Sequence, residues 1–261
     1  MHWTKVTDCE ATRYPGHRGE RLMVLYQPKG AAREYCEWAA NLYRGCAHGC
    51  TYCYAPAVLR EDRETFRRVR PRPGVLDHLR HDLAREQGAH DVLLCFTCDP
   101  YPPEAVEQGT TRRAIGMLGR AGHRPIILSK AGGAPAERDF DLLAQFSGQF
   151  GATLTFPDAE RSRLWEPGAA LPAERMETLR RAHAQGIPTW VSLEPVLDPE
   201  ASLDLIGLTK TYVDTYKVGR WNHDTRANAI DWSDFGHRAE TLLKKLGKTY
   251  LIKAGLRKEM R

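Results

Sequence analysis

Three cysteines lie within eight residues of one another near the start of this 261-residue sequence. Cys46, Cys50 and Cys53 follow a C-x3-C-x2-C spacing. Cysteine thiolates hold iron–sulfur clusters, and a [4Fe-4S] cluster is ordinarily bound by four of them. Three cysteines in one loop would therefore bind three irons and leave the fourth iron open to another ligand.

A structural zinc site is the alternative interpretation of the same cysteines. It would need a fourth ligand, for which His48, Cys36 and Cys9 are the candidates. Zinc sites usually pair their cysteines in two separated knuckles. The other C-x2-C pair, Cys95 and Cys98, falls on the next predicted strand. The spacing therefore favours an iron–sulfur cluster.

Short β-rich runs alternate with amphipathic helical stretches along the chain, a pattern typical of repeated βα units around a parallel sheet. We expect an α/β fold, a partial (β/α)6 barrel of the TIM type. Residues 39–243 would form the barrel, 1–38 an N-terminal extension packed on it, and 244–261 a basic C-terminal segment. The predicted strands are residues 40–44, 91–97, 124–129, 152–156, 188–194 and 212–218.

Polar residues follow the predicted strands, where parallel βα folds carry their chemistry. After the cysteine loop, the candidates are Cys98, Ser129, Lys130, Thr155 and Glu194. We expect them to face one mouth of the barrel.

Two glutamates need partners. Glu194 would be costly to bury unpaired, and we expect either Lys217 or Arg220 to neutralise it or the side chain to bind cofactor or substrate. Glu166, in a predicted loop, is expected to pair with Arg161 or Arg175.

The net charge of +5 is unevenly spread. Residues 244–261 hold seven basic side chains and one acid, and residues 60–72 hold six arginines and three acids. Each run is either a solvated surface or a phosphate-binding surface.

No apolar signal core begins the sequence, and no apolar run approaches the roughly 20 residues that span a bilayer. We therefore expect a cytoplasmic protein with no membrane contact; nothing indicates its oligomeric state.

Residues 41–55 carry a recognisable motif, Asn-Leu-Tyr-Arg-Gly-Cys-x-His-Gly-Cys-x-Tyr-Cys-Tyr-Ala. This segment resembles the cluster-binding loop of the radical SAM superfamily, and more narrowly its spore photoproduct lyase-like branch, also described as DNA repair photolyase-like. Matches to later segments of that branch extend the resemblance to residue 195; they include Thr97-x-Asp99-Pro100-Tyr101, Ser129-Lys130 and Ser192-Leu193-Glu194-Pro195.

The resemblance implies two cofactors, a [4Fe-4S] cluster on Cys46, Cys50 and Cys53 and S-adenosylmethionine on the open iron. An electron from the cluster would cleave S-adenosylmethionine to a 5′-deoxyadenosyl radical. The residues implied in binding S-adenosylmethionine are Tyr52, Ser129, Lys130, Thr155 and Glu194.

The resemblance also implies a hydrogen relay. In spore photoproduct lyases a cysteine returns hydrogen to the product radical with the help of tyrosines, to which Tyr52 and Tyr54 correspond. The family's cysteine position falls nearest Phe96, between Cys95 and Cys98, and Cys98 at the strand end is our candidate donor. If neither thiol donates, the enzyme remodels its substrate rather than reversing a photoproduct.

The function that follows is a radical SAM enzyme, a lyase or isomerase, that repairs or modifies a nucleobase, most specifically a thymine-derived base in DNA. The alternatives are rearrangement of an already modified thymine, or modification of RNA, a peptide or a small metabolite. We expect a flavodoxin- or ferredoxin-type reductant. The competing class is a non-catalytic metal or electron-transfer protein.

Overall fold

The computed structural model describes residues 23–102 and 107–261. The strands of its main sheet are β1 (Leu25–Tyr26), β2 (Trp38–Ala40), β5 (Asp91–Leu94), β6 (Arg124–Ser129), β7 (Gln149–Thr153), β8 (Thr189–Leu193), β9 (Thr215–Val218) and β10 (Thr249–Ile252). Their order in the sheet is β1-β2-β5-β6-β7-β8-β9-β10, and every neighbouring pair is parallel except β1 with β2. The expected α/β fold of the partial-barrel type is confirmed.

Helices follow the parallel strands, as in repeated βα units. They are α1 (Ala55–Leu59), α2 (Arg63–Arg67), α3 (Val75–Leu83), α4 (Thr110–Arg120), α5 (Ala134–Glu137), α6 (Phe140–Gln145), α7 (Ala159–Trp165), α8 (Pro172–Ala184), α9 (Pro199–Thr209), α10 (Trp232–Lys245) and α11 (Ala254–Glu259). A short antiparallel pair, β3 (Tyr43–Arg44) with β4 (Arg70–Pro71), lies outside the main sheet. No helix among the described residues is both long and apolar enough to cross a membrane.

The sheet is apolar on both faces, as buried parallel strands require. Side chains such as Ile127 and Val191 pack against the helices. Leu93, Ile126 and Trp190 face the other way and form a smaller cluster inside the partial barrel. The period of two along each strand thus divides the core into an outer and an inner layer.

Several helices begin at an aspartate that caps the first turn. The carboxylates of Asp158, Asp198 and Asp231 accept hydrogen bonds from backbone amides at the starts of α7, α9 and α10. Such caps satisfy amides that have no partner within the helix. They fix where each helix begins, and so how much chain is left for the loop after each strand.

The main differences from the sequence-based expectation lie at the two ends of the sheet. The first strand was expected at residues 40–44 but β2 ends at Ala40. Residues 249–252, expected in a C-terminal segment, form a seventh parallel strand on β9, and α10 continues past residue 243 to Lys245. In β10 only Ile252 is buried, and its short run Thr-Tyr-Leu-Ile lies between Lys248 and Lys253, within the segment that we expected to be a basic tail. Residues 1–22, with Cys9, lie outside the described residues.

Candidate functional site

The loop with the three cysteines starts at Gly45, which has a φ of +85°. A Cβ on Gly45 would lie 2.6 Å from the carbonyl oxygen of Phe66 and 2.7 Å from that of Arg68. The amide of Cys46 donates to the Phe66 carbonyl at 2.8 Å. Only glycine fits this close backbone approach, which places the loop directly against α2.

Arg63 of α2 binds the other end of the loop. Its guanidinium donates to the carbonyl oxygens of Cys50 at 3.2 Å and Cys53 at 3.0 Å. Cys50 is buried, while Cys46 and Cys53 are partly exposed. Burial raises the pKa of the Cys46 thiol and raises that of Cys50 to about 11. Both thiols are therefore protonated at neutral pH without metal, and metal loading must displace their protons.

The donor set of this loop fits a cubane cluster, because each iron of a [4Fe-4S] cluster takes its own thiolate. Within residues 23–102 and 107–261, no three Cys, His, Asp or Glu side chains converge on a single metal-ion position. Two proposed fourth ligands of a zinc site are engaged elsewhere. The Cys36 thiol donates to the Asp91 carbonyl at 3.1 Å inside the barrel, and His48 is bound to other protein groups.

Both ring nitrogens of His48 contact protein oxygens. Nε2 lies 2.9 Å from the Asp99 carboxylate, and Nδ1 lies 3.0 Å from the carbonyl oxygen of Gly168. Burial acts to lower the pKa of His48, but Asp99 outweighs it and the pKa is raised. His48 therefore joins the cysteine loop to two other loops of the mouth.

Asp99, just after β5, also organises the loop that follows β6. Its carboxylate accepts a hydrogen bond from the Ser129 hydroxyl at 2.8 Å and from the Lys130 amide at 2.8 Å. Burial acts to raise the pKa of Asp99, but His48 and the amide donors hold it below its usual value. The structure thus brings Ser129 and Lys130 beside the cysteine loop, as the sequence predicts.

Tyr52, between the second and third cysteines, is fixed by residues that follow β7 in the chain. Its hydroxyl donates to Glu166, whose other carboxylate oxygen binds Arg175. Glu166 and Arg175 have no solvent-exposed side-chain surface. The Lys130 Nζ lies 5.7 Å from the centre of the Tyr52 ring. The pairing of Glu166 with Arg175, one of its two expected partners, is confirmed.

Thr155, just after β7, is 1% exposed, and its hydroxyl has no hydrogen-bond partner among the described residues. A buried hydroxyl left unpaired costs about 1–3 kcal/mol. A bound ligand with a polar group would remove this cost. The orphaned hydroxyl fits the cofactor-binding role expected of Thr155.

Glu194 is paired, but not with the residues expected. Its carboxylate binds the buried Lys253 ammonium and the Tyr35 hydroxyl, with the Asn222 amide at 3.3 Å. The expected partners were wrong, because Lys217 donates to the Tyr35 carbonyl and Arg220 binds Glu259.

Sequence reasoning missed Tyr35 and Lys253. They lie 159 and 59 residues from Glu194 along the chain, and no local pattern relates residues so far apart. Inside the barrel, the Lys217 Nζ lies 4.7 Å from the centre of the Trp190 ring.

Cys98 lies beside Cys95 rather than beside Phe96. Cys95 has a φ of +68°, which interrupts the strand alternation. Both thiols pack with the core on the helix side, while Phe96 turns inward and lies 5.6 Å from the Tyr35 ring. Burial and the neighbouring Cys95 thiol raise the pKa of Cys98. Phe96 thus occupies the position nearest the family's donor cysteine, and the Cys95 and Cys98 thiols lie on the opposite, helix side of the strand.

Five side chains from three segments form what we call the aromatic rim at the mouth: Tyr54 of the cysteine loop, Trp165 at the end of α7, and Trp221, His223 and Arg226 after β9. The Tyr54 and His223 rings are 5.8 Å apart, and Trp165 meets Trp221 edge to face at 5.5 Å. The Arg226 guanidinium covers both tryptophans, at 4.9 and 4.8 Å. His223 has a φ of +64°, a strained backbone for histidine. Tyr54 is 45% exposed.

The family model described as Radical SAM superfamily matches residues 40–206 of this chain, which is more than half of it. An uncharacterized protein of Acidianus two-tailed virus is 27% identical over 185 residues, covering 65% of this chain and 60% of the viral protein. An uncharacterized protein of Mycobacterium tuberculosis is 29% identical over 180 residues, covering 65% of this chain and 52% of that protein. The chain therefore corresponds to little more than half the length of these relatives.

Solved structures show the same fold at low sequence identity. A spore photoproduct lyase with bound AdoMet and dinucleoside spore photoproduct matches 86% of this chain and 65% of its own, with a TM-score of 0.60 and 14% identity. Streptococcus suis SuiB bound to S-adenosylmethionine matches 84% of this chain and 47% of its own, with a TM-score of 0.59 and 11% identity.

Proposed function

The chain belongs to the radical SAM superfamily, whose enzymes use a [4Fe-4S] cluster and S-adenosylmethionine, and we propose that it acts on a nucleobase. The most specific form of the proposal is a thymine-derived base in DNA, repaired or modified by a lyase or isomerase reaction. When bound, the cluster and S-adenosylmethionine supply a carbon radical that abstracts hydrogen from the substrate. The protein's own residues bind and orient the cofactors and the base.

The observation that carries the nucleobase proposal is the aromatic rim. Bases stack on aromatic side chains, with contributions from arginine, at about 1–3 kcal/mol per base. The rim adjoins the cysteine loop, because Tyr54 directly follows Cys53 and the Thr51 amide donates to the Trp165 carbonyl at 2.9 Å. The fold likeness supports the same proposal, since the spore photoproduct lyase structure contains a dinucleoside photoproduct.

The residues beside the loop have separate proposed roles. Cys46, Cys50 and Cys53 hold the cluster. Tyr52 contacts the adenine of S-adenosylmethionine.

On the neighbouring loops, Lys130 pairs with the carboxylate of S-adenosylmethionine, and Ser129 and Thr155 offer hydroxyl groups beside it. Asp99 fixes the loop that carries Ser129 and Lys130. We retain Glu194 as a cofactor-binding candidate that acts from within its network with Lys253.

Hydrogen return is proposed to involve Tyr52, Tyr54 and Cys98. Cys98 lies with Cys95 behind Phe96, and we propose that a neighbouring side chain carries hydrogen between the thiol and the substrate. Tyr54 at the rim is the candidate for that step. If the relay is absent, the chemistry is a rearrangement of the bound base.

The first experiment tests the cofactor chemistry. The cluster is reconstituted without oxygen and reduced with dithionite, and 5′-deoxyadenosine is measured after S-adenosylmethionine is added. We expect cleavage by the natural chain and none by Cys46→Ala, Cys50→Ala or Cys53→Ala. Cys36→Ala is the matched control and should retain cleavage. Zinc with no iron, or iron with no cleavage, would contradict the enzyme proposal.

A second experiment tests the substrate. Oligonucleotides with a thymine photoproduct or a modified thymine, RNA of the same sequence and the free nucleosides are compared by mass spectrometry. We expect conversion of the DNA, with a large loss in Tyr54→Ala, which removes the exposed aromatic ring of the rim. Conversion of the free nucleoside alone, a peptide or another metabolite would refute the DNA form. Cys98→Ala should keep cofactor cleavage but change the product.

The proposed setting is the cytoplasm, where a flavodoxin- or ferredoxin-type protein supplies the electron. This setting suits a chain whose described cysteines are all free thiols. Reduction of the cluster by a purified flavodoxin, in place of dithionite, tests it.

A further inference from the structure

A groove of about 510 Å³ runs between α3 and α4, on the helix side of the sheet. Four arginines and one acid line it, together with small and apolar residues of the two helices. The charged residues are Arg72, Arg80, Arg113, Arg120 and Asp77. We refer to this feature as the arginine groove.

The charges of the arginine groove do not balance. Asp77 already pairs with Arg80, at 2.6 Å. Arg113 and Arg120 are exposed and form no ion pair with a described carboxylate; one Arg113 nitrogen donates to the Gln108 carbonyl at 3.3 Å. Guanidinium groups present a planar fork of donors that matches phosphate oxygens. The groove is therefore suited to an anion with more than one charged group.

The groove opens beside the mouth of the barrel. The Arg72 amide donates to the carbonyl of Leu42 at 3.0 Å, and Leu42 follows the carboxyl end of β2 by two residues. The first residues of both helices, Val75 and Thr110, also line the groove. In a βα unit a helix begins near the carboxyl end of the preceding strand, which is the face where the cysteine loop lies.

We propose that the arginine groove binds the backbone phosphates of a nucleic-acid strand whose target base enters the mouth. This inference rests on the proposed function, and assigns a strand-binding surface outside the cofactor site. A chain of phosphates supplies repeated negative charges, which suit Arg113 and Arg120, two arginines that pair with no carboxylate of the described residues. It also gives the arginine-rich segment 60–72 two uses: Arg63 supports the cysteine loop, and Arg72 lines the groove.

The test uses the cluster-loaded full chain and the double variant Arg113→Gln/Arg120→Gln. Binding of a labelled oligothymidylate is measured by fluorescence anisotropy at several KCl concentrations. For a single strand each phosphate contact contributes about 0.7 to the slope of log K against log salt. We expect the variant to lower the magnitude of the slope by about 1.4 and to bind more weakly at low salt.

The matched control is Arg180→Gln/Arg181→Gln on α8, which removes the same charge from two exposed arginines that pair with Glu177. It should leave the slope unchanged. Cleavage of S-adenosylmethionine without nucleic acid should be the same in all three proteins, which checks folding and cluster content.

Three results would overturn the inference. Suppose that the slope is equal in the double variant and the natural chain, and that the natural chain still converts a thymine-containing oligonucleotide. Strand binding by the arginine groove is then refuted, while the proposed function stands. If the two slopes are equal and the KM for reduced flavodoxin is higher in the double variant than in the natural chain, the groove binds the reductant instead of nucleic acid. Salt-insensitive binding by the natural chain, with no conversion of DNA, would refute the proposed function as well.

Discussion

Replacing Arg175 with methionine would leave the Glu166 carboxylate buried without its cation. Both side chains are fully buried. Burial acts to raise the pKa of Glu166, but Arg175 and Lys130 hold it below its usual value. Arg175→Met keeps much of the side-chain volume and removes the charge, so it isolates the electrostatic effect.

The magnitude follows from what Glu166 loses. Breaking a buried ion pair from one side costs about 3–5 kcal/mol, because the remaining charge is uncompensated. Arg175 also donates to the carbonyl of Thr153 at 2.8 Å and to that of Ala170 at 2.7 Å, and these acceptors lose a partner too. At about 2–4 °C per kcal/mol for a chain of this size class, the melting temperature should fall by about 6–20 °C.

The assay is thermal and urea unfolding of the cluster-free chain, followed by circular dichroism, because loss of a cluster makes unfolding of the loaded protein irreversible. The double variant Glu166→Leu/Arg175→Met should recover about 2 kcal/mol relative to Arg175→Met, since it no longer buries a lone charge.

The pH dependence has a definite sign. In the natural chain the lowered pKa of Glu166 contributes stability that is present above about pH 4.5 and is lost as the pH falls through the folded pKa. In Arg175→Met the unpaired carboxyl takes up a proton more readily, so the penalty at pH 5 should be smaller than at pH 7.

Two results would refute this reasoning. A loss below about 1 kcal/mol in Arg175→Met would mean that water or another cation compensates Glu166. A double variant no more stable than the single one would mean that the loss comes from packing and the carbonyl partners rather than from the unpaired charge.

Three further predictions concern the loops of the mouth. Gly168→Ala should reduce the iron content after reconstitution severalfold, because its Cβ would lie 2.5 Å from the Ala47 carbonyl oxygen. The control is Gly207→Ala in α9, whose Cβ would meet nothing within 4 Å and which should retain iron. Equal iron contents in the two variants would contradict this. Lys253→Met should lower the stability to urea by about 3 kcal/mol through the unpaired Glu194, and an unchanged midpoint would show that Tyr35 suffices. Arg63→Gln should speed cluster loss on exposure to a chelator, followed by the visible absorbance of the cluster, and unchanged loss would exclude a supporting role.

Local patterns in the sequence were enough to predict the fold class and the place of the site. The run Arg124–Ser129 was predicted with its exact bounds, because its apolar centre, Ile126 to Leu128, follows a turn signal at Gly122. The edge strand Thr249–Ile252 was missed, because it is short, mostly exposed and flanked by the lysines of a basic segment. The alternation of strands and helices predicted that Ser129 and Lys130 face the same mouth as the cysteines, because parallel strands carry their following loops at one end.

The basic C-terminal segment shows how charge in the sequence differs from charge at the surface. Lys253 is buried against Glu194, Arg257 and Lys244 pair with Glu240, and Lys248 donates to the Val213 carbonyl. Most of the positive charge counted in the sequence is thus engaged within the protein. The arginine groove, whose charged residues come from two separate stretches of the chain, is the stronger candidate for binding phosphate.

The sequence by itself determined which groups are available: three thiols at a fixed spacing, an aromatic between them, and polar residues at the strand ends. Such features are local, since spacing and strand periodicity act over a few residues. Only the tertiary structure decided which groups meet. In the folded chain Glu194 contacts Lys253 and Tyr35. Phe96 faces the inside of the barrel, whereas the Cys98 thiol lies beside Cys95 on the helix side. The Arg226 guanidinium lies over the rings of Trp165 and Trp221. These pairings depend on how distant segments pack, and the free energy that selects them comes from burial of the whole chain.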